Sequence, residues 1–441
     1  MDIGISNIIF IIVLLGSSAF FAYNVRKIIQ NIRLGREENR SDQKGVRWKT
    51  MLRVAFGQSK MTARPIAAIL HGFIYVAFLF TQIELIEIIV DGVAGTHRFF
   101  QPILGGLYTF VISLIEILSL LALIATFAFL SRRNLLKLPR FTKSEMTGWP
   151  KLDGNIILYL EFILVICIFT MNGADEALFH KATGESHGFV LSSIYGTAVF
   201  GGMDLETLHL LERIGWWGHI LVVFAFICYL PYSKHLHIFF AFPNTYYTKL
   251  LPKGQFTNME SVTNEVKLML DPNADPFAAP APDANATPQR FGAKDVRDLT
   301  WVNILNAYTC TECGRCTSEC PANITGKKLS PRKIMMDVRD RAEEVGNGVR
   351  KEGDQFDDGK SLLGDFITEE EVWACTSCNA CVQACPVNID PLEIIMDLRR
   401  YLVMEESKMP AELAGMNTNI ENNQAPWQFS PTDRLNWKDE A

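Results

Sequence analysis

Cys310-Thr-Glu-Cys313-Gly-Arg-Cys316-Thr-Ser-Glu-Cys320-Pro321 and Cys375-Thr-Ser-Cys378-Asn-Ala-Cys381-Val-Gln-Ala-Cys385-Pro386 are two copies of one pattern, C-x2-C-x2-C-x3-C-P. In this spacing three close thiolates hold three corners of a [4Fe–4S] cube, and the fourth Cys reaches across to the other cube. The expected ligand sets are Cys310, Cys313, Cys316 with Cys385, and Cys375, Cys378, Cys381 with Cys320. Structural zinc usually takes its cysteines in pairs separated by a long gap, which this packing does not resemble. A disulfide framework would need an oxidising compartment, whereas this stretch reads below as cytoplasmic.

The repeat continues past the cysteines. Pro331 is followed by Ile334, Met336, Asp337 and Arg339, and Pro391 by Ile394, Met396, Asp397 and Arg399, at the same offsets. Ser330 and Asp390 stand before these prolines as helix caps, so each cysteine run should lead into a capped helix. The second of these capped stretches is preceded by Thr368-x-x-Glu371, a capping box expected to open a short helix into Cys375. Pro331–Glu344 reads as helix and Gly346–Gly359 as a polar loop.

Outward from this region the composition changes. The hydrophobic fraction is 49% overall, but the apolar residues crowd into the first 240 or so positions. Five stretches there are long enough, or nearly so, to cross a bilayer: Ile3–Tyr23, Pro65–Val90, Leu104–Leu130, Ile156–Met171 and Ile214–Tyr232. The first lacks a basic leader and a small-residue cleavage site, and it reads as a retained anchor. The connection Arg26–Arg64 carries eleven Lys/Arg and Arg132–Lys151 carries six, against one each in Asp91–Gln101 and Asn172–Leu210. The positive-inside rule then places the basic loops in the cytoplasm, the N-terminus outside, and all that follows Tyr232 in the cytoplasm. A net charge of −6 with no basic, aromatic-interleaved stripe argues against a nucleic-acid partner.

Histidines mark the spans. His71 lies near the cytoplasmic start of the second span. His219 and His237 are eighteen residues apart, which on one continuous helix returns to the same face after about 27 Å. His71 and His237 should therefore meet at one depth, as a b-type haem with both axial positions filled requires. His235 is expected to point elsewhere, as an interfacial side chain. His97, His180, His187 and His209 fall in outer loops or at a span edge and receive no ligand role.

The second and fifth spans resemble the gamma subunit of respiratory nitrate reductase and the related membrane subunit of heterodisulfide reductase. The fifth span in those proteins also ends in Pro-aromatic-Ser-basic-x-x-His, here Pro231-Tyr-Ser-Lys234-His235-Leu-His237. The resemblance implies a haem b held by His71 and His237. A second haem would use His219, but its expected partner position, ten residues after His71, is Thr81. His219 is left as a ligand of a second haem or as part of a quinone site. Tyr308-Thr-Cys310-Thr-Glu-Cys313-Gly314-Arg-Cys316 and Trp373-Ala-Cys375-Thr-Ser-Cys378 resemble the helical two-cluster ferredoxin of heterodisulfide reductase and of the succinate dehydrogenase iron–sulfur subunit. Members of that group that perform substrate chemistry carry Cys-Cys-Gly repeats, and this chain has no adjacent Cys pair.

Acidic residues inside apolar spans cost about 2.5–3.5 kcal/mol at the bilayer centre and usually face a bundle interior. Glu84 and Glu116 are therefore candidates for the quinone or proton site, whereas Glu87 is placed near the interface and Glu161 is a further intraspan acid.

The expected architecture is mainly α. Residues 1–245 form a five-helix transmembrane haem b bundle, and 246–297 a connector whose Asp271–Thr287 part is Pro/Ala-rich. A cytoplasmic helical two-cluster ferredoxin follows over 298–406, then a tail over 407–441. The expected function is electron transfer in the cytoplasmic membrane. Electrons would pass between the quinone pool and a cytoplasmic partner, either a Cys-Cys-Gly-type iron–sulfur protein or a flavoprotein. The alternative is a membrane redox sensor or assembly protein whose clusters report rather than conduct.

Overall fold

The protein is described by a computed structural model covering residues 4–136, 138–252, 254–272 and 290–439. It is 72% helical, with no strand among the described residues. Most of the Pro/Ala-rich connector, residues 273–289, lies outside them.

Five helices are long and apolar enough to cross a membrane. They are α1 (Ile5–Ile32), α2 (Pro65–Ala94), α3 (Gly106–Asn134), α4 (Trp149–Thr183) and α5 (Leu205–Tyr229, prolonged by a 3-10 turn over Leu230–Tyr232). Pro65 and Pro150 occupy first-turn positions, where a missing N–H costs nothing. Gly95 and Gly184 end α2 and α4 in the left-handed conformation, at φ 72° and 78°. Asp204 caps α5 by accepting Thr207 N at 2.9 Å. Large apolar side chains such as Ile12, Ile66, Phe110 and Phe127 stand exposed on these helices, as surfaces that meet lipid would.

Two expectations about the spans are corrected. The fourth helix is 35 residues long, far beyond Ile156–Met171, because it continues through the buried polar residues Asn172, Asp175 and Glu176, which an apolar window leaves out. His219 and His237 do not share a helix. Pro231, which has no N–H to donate, lies in the 3-10 turn that closes α5. Ser233 then extends (φ −115°, ψ 147°), a short 3-10 turn spans Lys234–Leu236, and a new helix, α6, begins at His237 and runs to Tyr246.

The chain divides into two compact units. The first comprises Met1–Gln30, Gln43–Tyr246 and Tyr308–Gly314. In it α4 and α5 approach closely at glycine: a Cβ on Gly215 would lie 2.5 Å from Met171 N and 2.9 Å from Cys167 O, the small-residue contact that apolar helices use to pack. Phe10 of α1, fully buried, packs in tilted and edge-on contacts with Trp216, Trp217 and Phe224 on α5, ring centroids 5.6–6.2 Å apart.

The second unit comprises Asn31–Asp42, Tyr247–Ala307 and Arg315–Ala441. Its core joins Ile334, Val338 and Ala342 of α7 (Pro331–Glu352) to Ile394, Leu398 and Leu402 of α8 (Pro391–Met404), all fully buried. The caps are those the sequence implies. Ser330 accepts Lys333 N at 3.4 Å, Asp390 accepts Glu393 N at 3.0 Å, and Thr368 with Glu371 closes a capping box. α7 runs past Glu344 to Glu352 because Gly346 and Gly348 pack tightly inside it, against Asn31 and Phe356, so part of the expected polar loop is helix. Asn31–Asp42 joins this unit through Arg36 N to Leu299 O at 2.7 Å and Trp301 Nε1 to Glu38 O at 3.0 Å. In the tail, Ala411–Asn423 is helical.

Candidate functional site

The two cysteine runs share a backbone shape as well as a spacing. Glu312 (φ 53°) and Ser377 (φ 56°), each two residues after the first Cys, adopt the left-handed conformation, as do Gly314 (φ 72°) and Asn379 (φ 65°), each following the second. Such backbone costs on the order of 1–3 kcal/mol in a non-glycine residue and persists where surroundings over-determine it, typically at functional sites. Here it aims an amide at sulfur: Glu312 N donates to Cys310 Sγ and Ser377 N to Cys375 Sγ, both at 3.4 Å. Ile389 N donates to Cys385 Sγ at 3.3 Å. Amides directed at cluster sulfurs are one of the means by which a protein sets cluster potential.

Within the second unit Cys320 is an electrostatic neighbour of Cys375 and Cys381, and Cys378 of Cys375. The last Cys of the first run is thus brought to the second run, as the crossed set requires. Burial raises the Cys381 thiol, with Asp390 and Cys375 adding to it, and burial likewise raises Cys375. Bound metal would hold such sulfurs as thiolates. Arg399 fastens this loop by donating to Cys375 O and, at 2.9 Å, to Val372 O. Its counterpart in the repeat, Arg339, pairs with Asp340 at 2.9 Å. Cys310 and Cys313 belong to the first unit and Cys316 and Cys385 to the second. Among the described residues no three His, Cys, Asp or Glu side chains converge as on a single metal ion.

The Pro-Tyr-Ser-Lys motif after α5 is organised by Asp153, 2% exposed on α4. Asp153 accepts Tyr229 OH at 2.6 Å, Ser233 Oγ at 2.7 Å and Lys234 N at 3.2 Å. The Lys234 ammonium donates to Pro150 O at 2.7 Å and to the carboxylate of Glu312, between Cys310 and Cys313. One lysine therefore ties the histidine-bearing segment to the first cysteine loop.

His237 Nδ1 lies 3.1 Å from Lys234 O. With the proton on Nδ1 it donates to that carbonyl and leaves Nε2 as a lone-pair donor, the usual second contact of a ligating histidine. His235 does not point away. Its ring is 5.4 Å from that of His237 and it is an electrostatic neighbour of His71. The break after Pro231 lets both residues face the same way, which a single helix would not. Burial holds His235 well below its ordinary pKa and lowers His237 as well, despite Lys234 O. Neutral imidazoles with a free nitrogen suit axial ligation, and His235 Nδ1 has no hydrogen-bond partner in the structure. These residues fit a haem ligand set. His219, on α5, is 4% exposed, and its Nδ1 is also without a partner.

Glu84 and Glu116 are buried together, with Arg98, Glu87 and Asn172 as neighbours of Glu84. Glu87 is buried inside the bundle: at 4% exposure it accepts Phe100 N at 2.9 Å and Tyr108 OH at 2.7 Å. Sequence reasoning missed Arg98, Asp175 and Tyr108. Arg98 is the lone cation of its connection, and a solitary charge beside several intraspan acids was the available signal.

A family model described as "4Fe-4S dicluster domain" matches residues 309–389. The Bacillus subtilis protein named "Probable iron-sulfur-binding oxidoreductase FadF" is 29% identical over 98% of this chain and 61% of its own length. The "EtfAB:quinone oxidoreductase" of Syntrophomonas wolfei is 25% identical over 98% of this chain and 59% of its own. A dihydromethanophenazine:CoB-CoM heterodisulfide reductase component from Methanosarcina mazei is 28% identical over 32% of this chain and 35% of its own. The chain thus spans about three-fifths of the length of the first two relatives. No solved structure matches. The relatives are iron–sulfur oxidoreductases and heterodisulfide reductase components, and the chain is similar to membrane-anchored iron–sulfur electron carriers.

Proposed function

We propose that the chain carries electrons between membrane quinone and a cytoplasmic redox partner through haem b and two [4Fe–4S] clusters. The observation that carries this reading is the pairing of two complete cysteine runs, inside a dicluster domain match, with a five-helix apolar bundle. The name of the Syntrophomonas relative, which joins EtfAB to quinone, supports a quinone on one side and a flavoprotein on the other. The heterodisulfide reductase relatives support a Cys-Cys-Gly-type iron–sulfur protein as the other partner class. The basic loops support clusters on the inner side of the cytoplasmic membrane, with the N-terminus outside.

The residues divide the work. His71 and His237 are the haem ligands, and His235 lines the same place. Cys310, Cys313, Cys316 and Cys385 hold one cube, and Cys375, Cys378, Cys381 and Cys320 the other. Haem and cubes, when bound, supply one-electron steps at metal centres. Glu84 and Glu116 handle protons or quinone, and His219 remains assigned to a second haem or the quinone site. Lys234 O fixes the His237 tautomer while Lys234 Nζ holds the Glu312 loop.

Membranes containing the full chain, treated with a quinol, test the reading. Haem and cluster signals should both appear in optical and EPR spectra, with one haem per chain by pyridine haemochrome. Centres that dithionite reduces but no quinol does would refute it.

A further inference from the structure

The end of the bundle away from His71 buries several carboxyl groups to 4% exposure or less, among them Glu84 and Glu87 on α2, Glu116 on α3 and Asp175 on α4. Arg98, itself 6% exposed, is fully engaged among them. Its Nε donates to Asp175 Oδ2 at 2.7 Å, Nη1 to Tyr108 OH at 3.0 Å and Nη2 to Asn172 Oδ1 at 3.1 Å. Tyr108 OH passes the chain on to Glu87 Oε2 at 2.7 Å. One guanidinium does not pair with four carboxylates, and a buried carboxyl lacking an ionic or hydrogen-bonding partner is far cheaper as the acid.

Glu84 is in that position. Its only hydrogen-bonding neighbour is the Asn172 side chain, too loosely placed for good geometry, and the titratable or charged groups facing it are Arg98, Glu87, Glu116 and Tyr195. Glu116 Oε1 is likewise open, although Glu116 Oε2 is satisfied by Leu191 N at 2.9 Å and Ser192 N at 3.2 Å. Buried polar atoms are ordinarily satisfied, so a group of open ones calls for an occupant or a moving proton. The network also reaches solvent. Asp175 Oδ1 lies 3.2 Å from His97 Nε2, and the His97 side chain is 53% exposed.

We propose that this end of the bundle is a proton port, in which Glu84 and Glu116 exchange protons with quinone and His97, held in place by the Asp175 carboxylate, exchanges them with solvent. The proposal rests on the quinone reading above. When a quinol is oxidised, two O–H bonds break. The two electrons leave towards the His71 end, and the two protons pass to the carboxyl groups and out past His97; reduction runs the same steps backwards. Arg98 keeps its charge throughout and serves as a positioning residue for Asp175 and Tyr108. His71 and Glu84 are thirteen residues apart on α2, about 20 Å along the helix, so electrons and protons part in opposite directions.

The test uses the full chain in vesicles, a water-soluble naphthoquinol as donor and ferricyanide as acceptor, with Glu84→Gln and His97→Phe beside the wild type. Glu84→Gln should slow quinol turnover at least about tenfold while dithionite-reduced haem and cluster spectra stay unchanged. It should also remove a protonated-carboxyl band from the redox-driven infrared difference spectrum. His97→Phe should slow turnover less and shift its pH profile. Wild-type turnover with an unaltered rate and infrared band in Glu84→Gln overturns the port alone. Absence of quinol turnover in the wild type overturns the quinone reading and the port with it.

Discussion

The Lys234 ammonium is paired with the carboxylate of Glu312, a residue 78 positions away that stands between two cluster cysteines. The two side chains are 9% and 2% exposed, and Asp153 Oδ2 is 3.6 Å from the same nitrogen. Removing one partner of a buried pair leaves an uncompensated charge, at a cost of about 3–5 kcal/mol. Lys234→Met should therefore lower thermal stability by that order and shift the midpoint potential of one cluster. The double variant Lys234→Met/Glu312→Gln should recover part of the loss. Melting curves and EPR redox titration of the four proteins of the cycle measure both.

The crossed cysteine assignment makes a pattern of losses. Cys320→Ser and Cys375→Ser should damage the same cluster, and Cys385→Ser and Cys310→Ser the other. A Cys320→Ser/Cys375→Ser double variant should then lose little more iron than either single one. Iron analysis with EPR checks this, and additive loss would contradict the pairing.

Arg341 is 3% exposed and binds Asp295 at 2.8 Å, Asp358 at 2.7 Å and the carbonyl of Lys360 at 2.7 Å. Asp295 in turn accepts Leu362 N at 3.0 Å, so this arginine holds the segment between α7 and the second cysteine run. Arg341→Met should destabilise the second unit by about 3–5 kcal/mol. Arg341→Lys should still cost stability, because a point charge does not reproduce the fork on two carboxylates. Urea denaturation followed by cluster absorbance compares them.

Asp337 sets a pH dependence. Burial, with Glu371 adding and Lys333 opposing, raises its pKa from 3.8 to about 7. Between those values the folded protein keeps a proton that the unfolded chain has released, so this group's contribution to stability falls as pH rises from about 4 to about 7. Asp337→Asn should flatten the profile in that window. Denaturation midpoints measured across it read the change, and an equally steep profile in the variant would contradict the assignment.

The periodic features were legible in the chain. Cysteine spacing, capping residues and long apolar runs are local signals, and Ser330, Asp390, Thr368 and five spanning-length helices stand where those signals put them. What was not legible depended on distant contacts. Asn172 and Asp175 look like the end of a span until Arg98, from another connection, is seen to pair with them. His235 looks misdirected on an ideal helix, but the break at Pro231 turns it towards His237. Lys234 is one basic residue of a motif in sequence; only folding brings Asp153 and Glu312 to it.

Membranes carrying His237→Ala, treated with quinol and frozen for EPR, measure most directly the link between the histidines of the bundle and the clusters. Quinol should no longer reduce the clusters if His237 lies on the proposed route, while dithionite should still yield their full signal. A quinol-driven cluster signal of wild-type size in that variant would contradict that route.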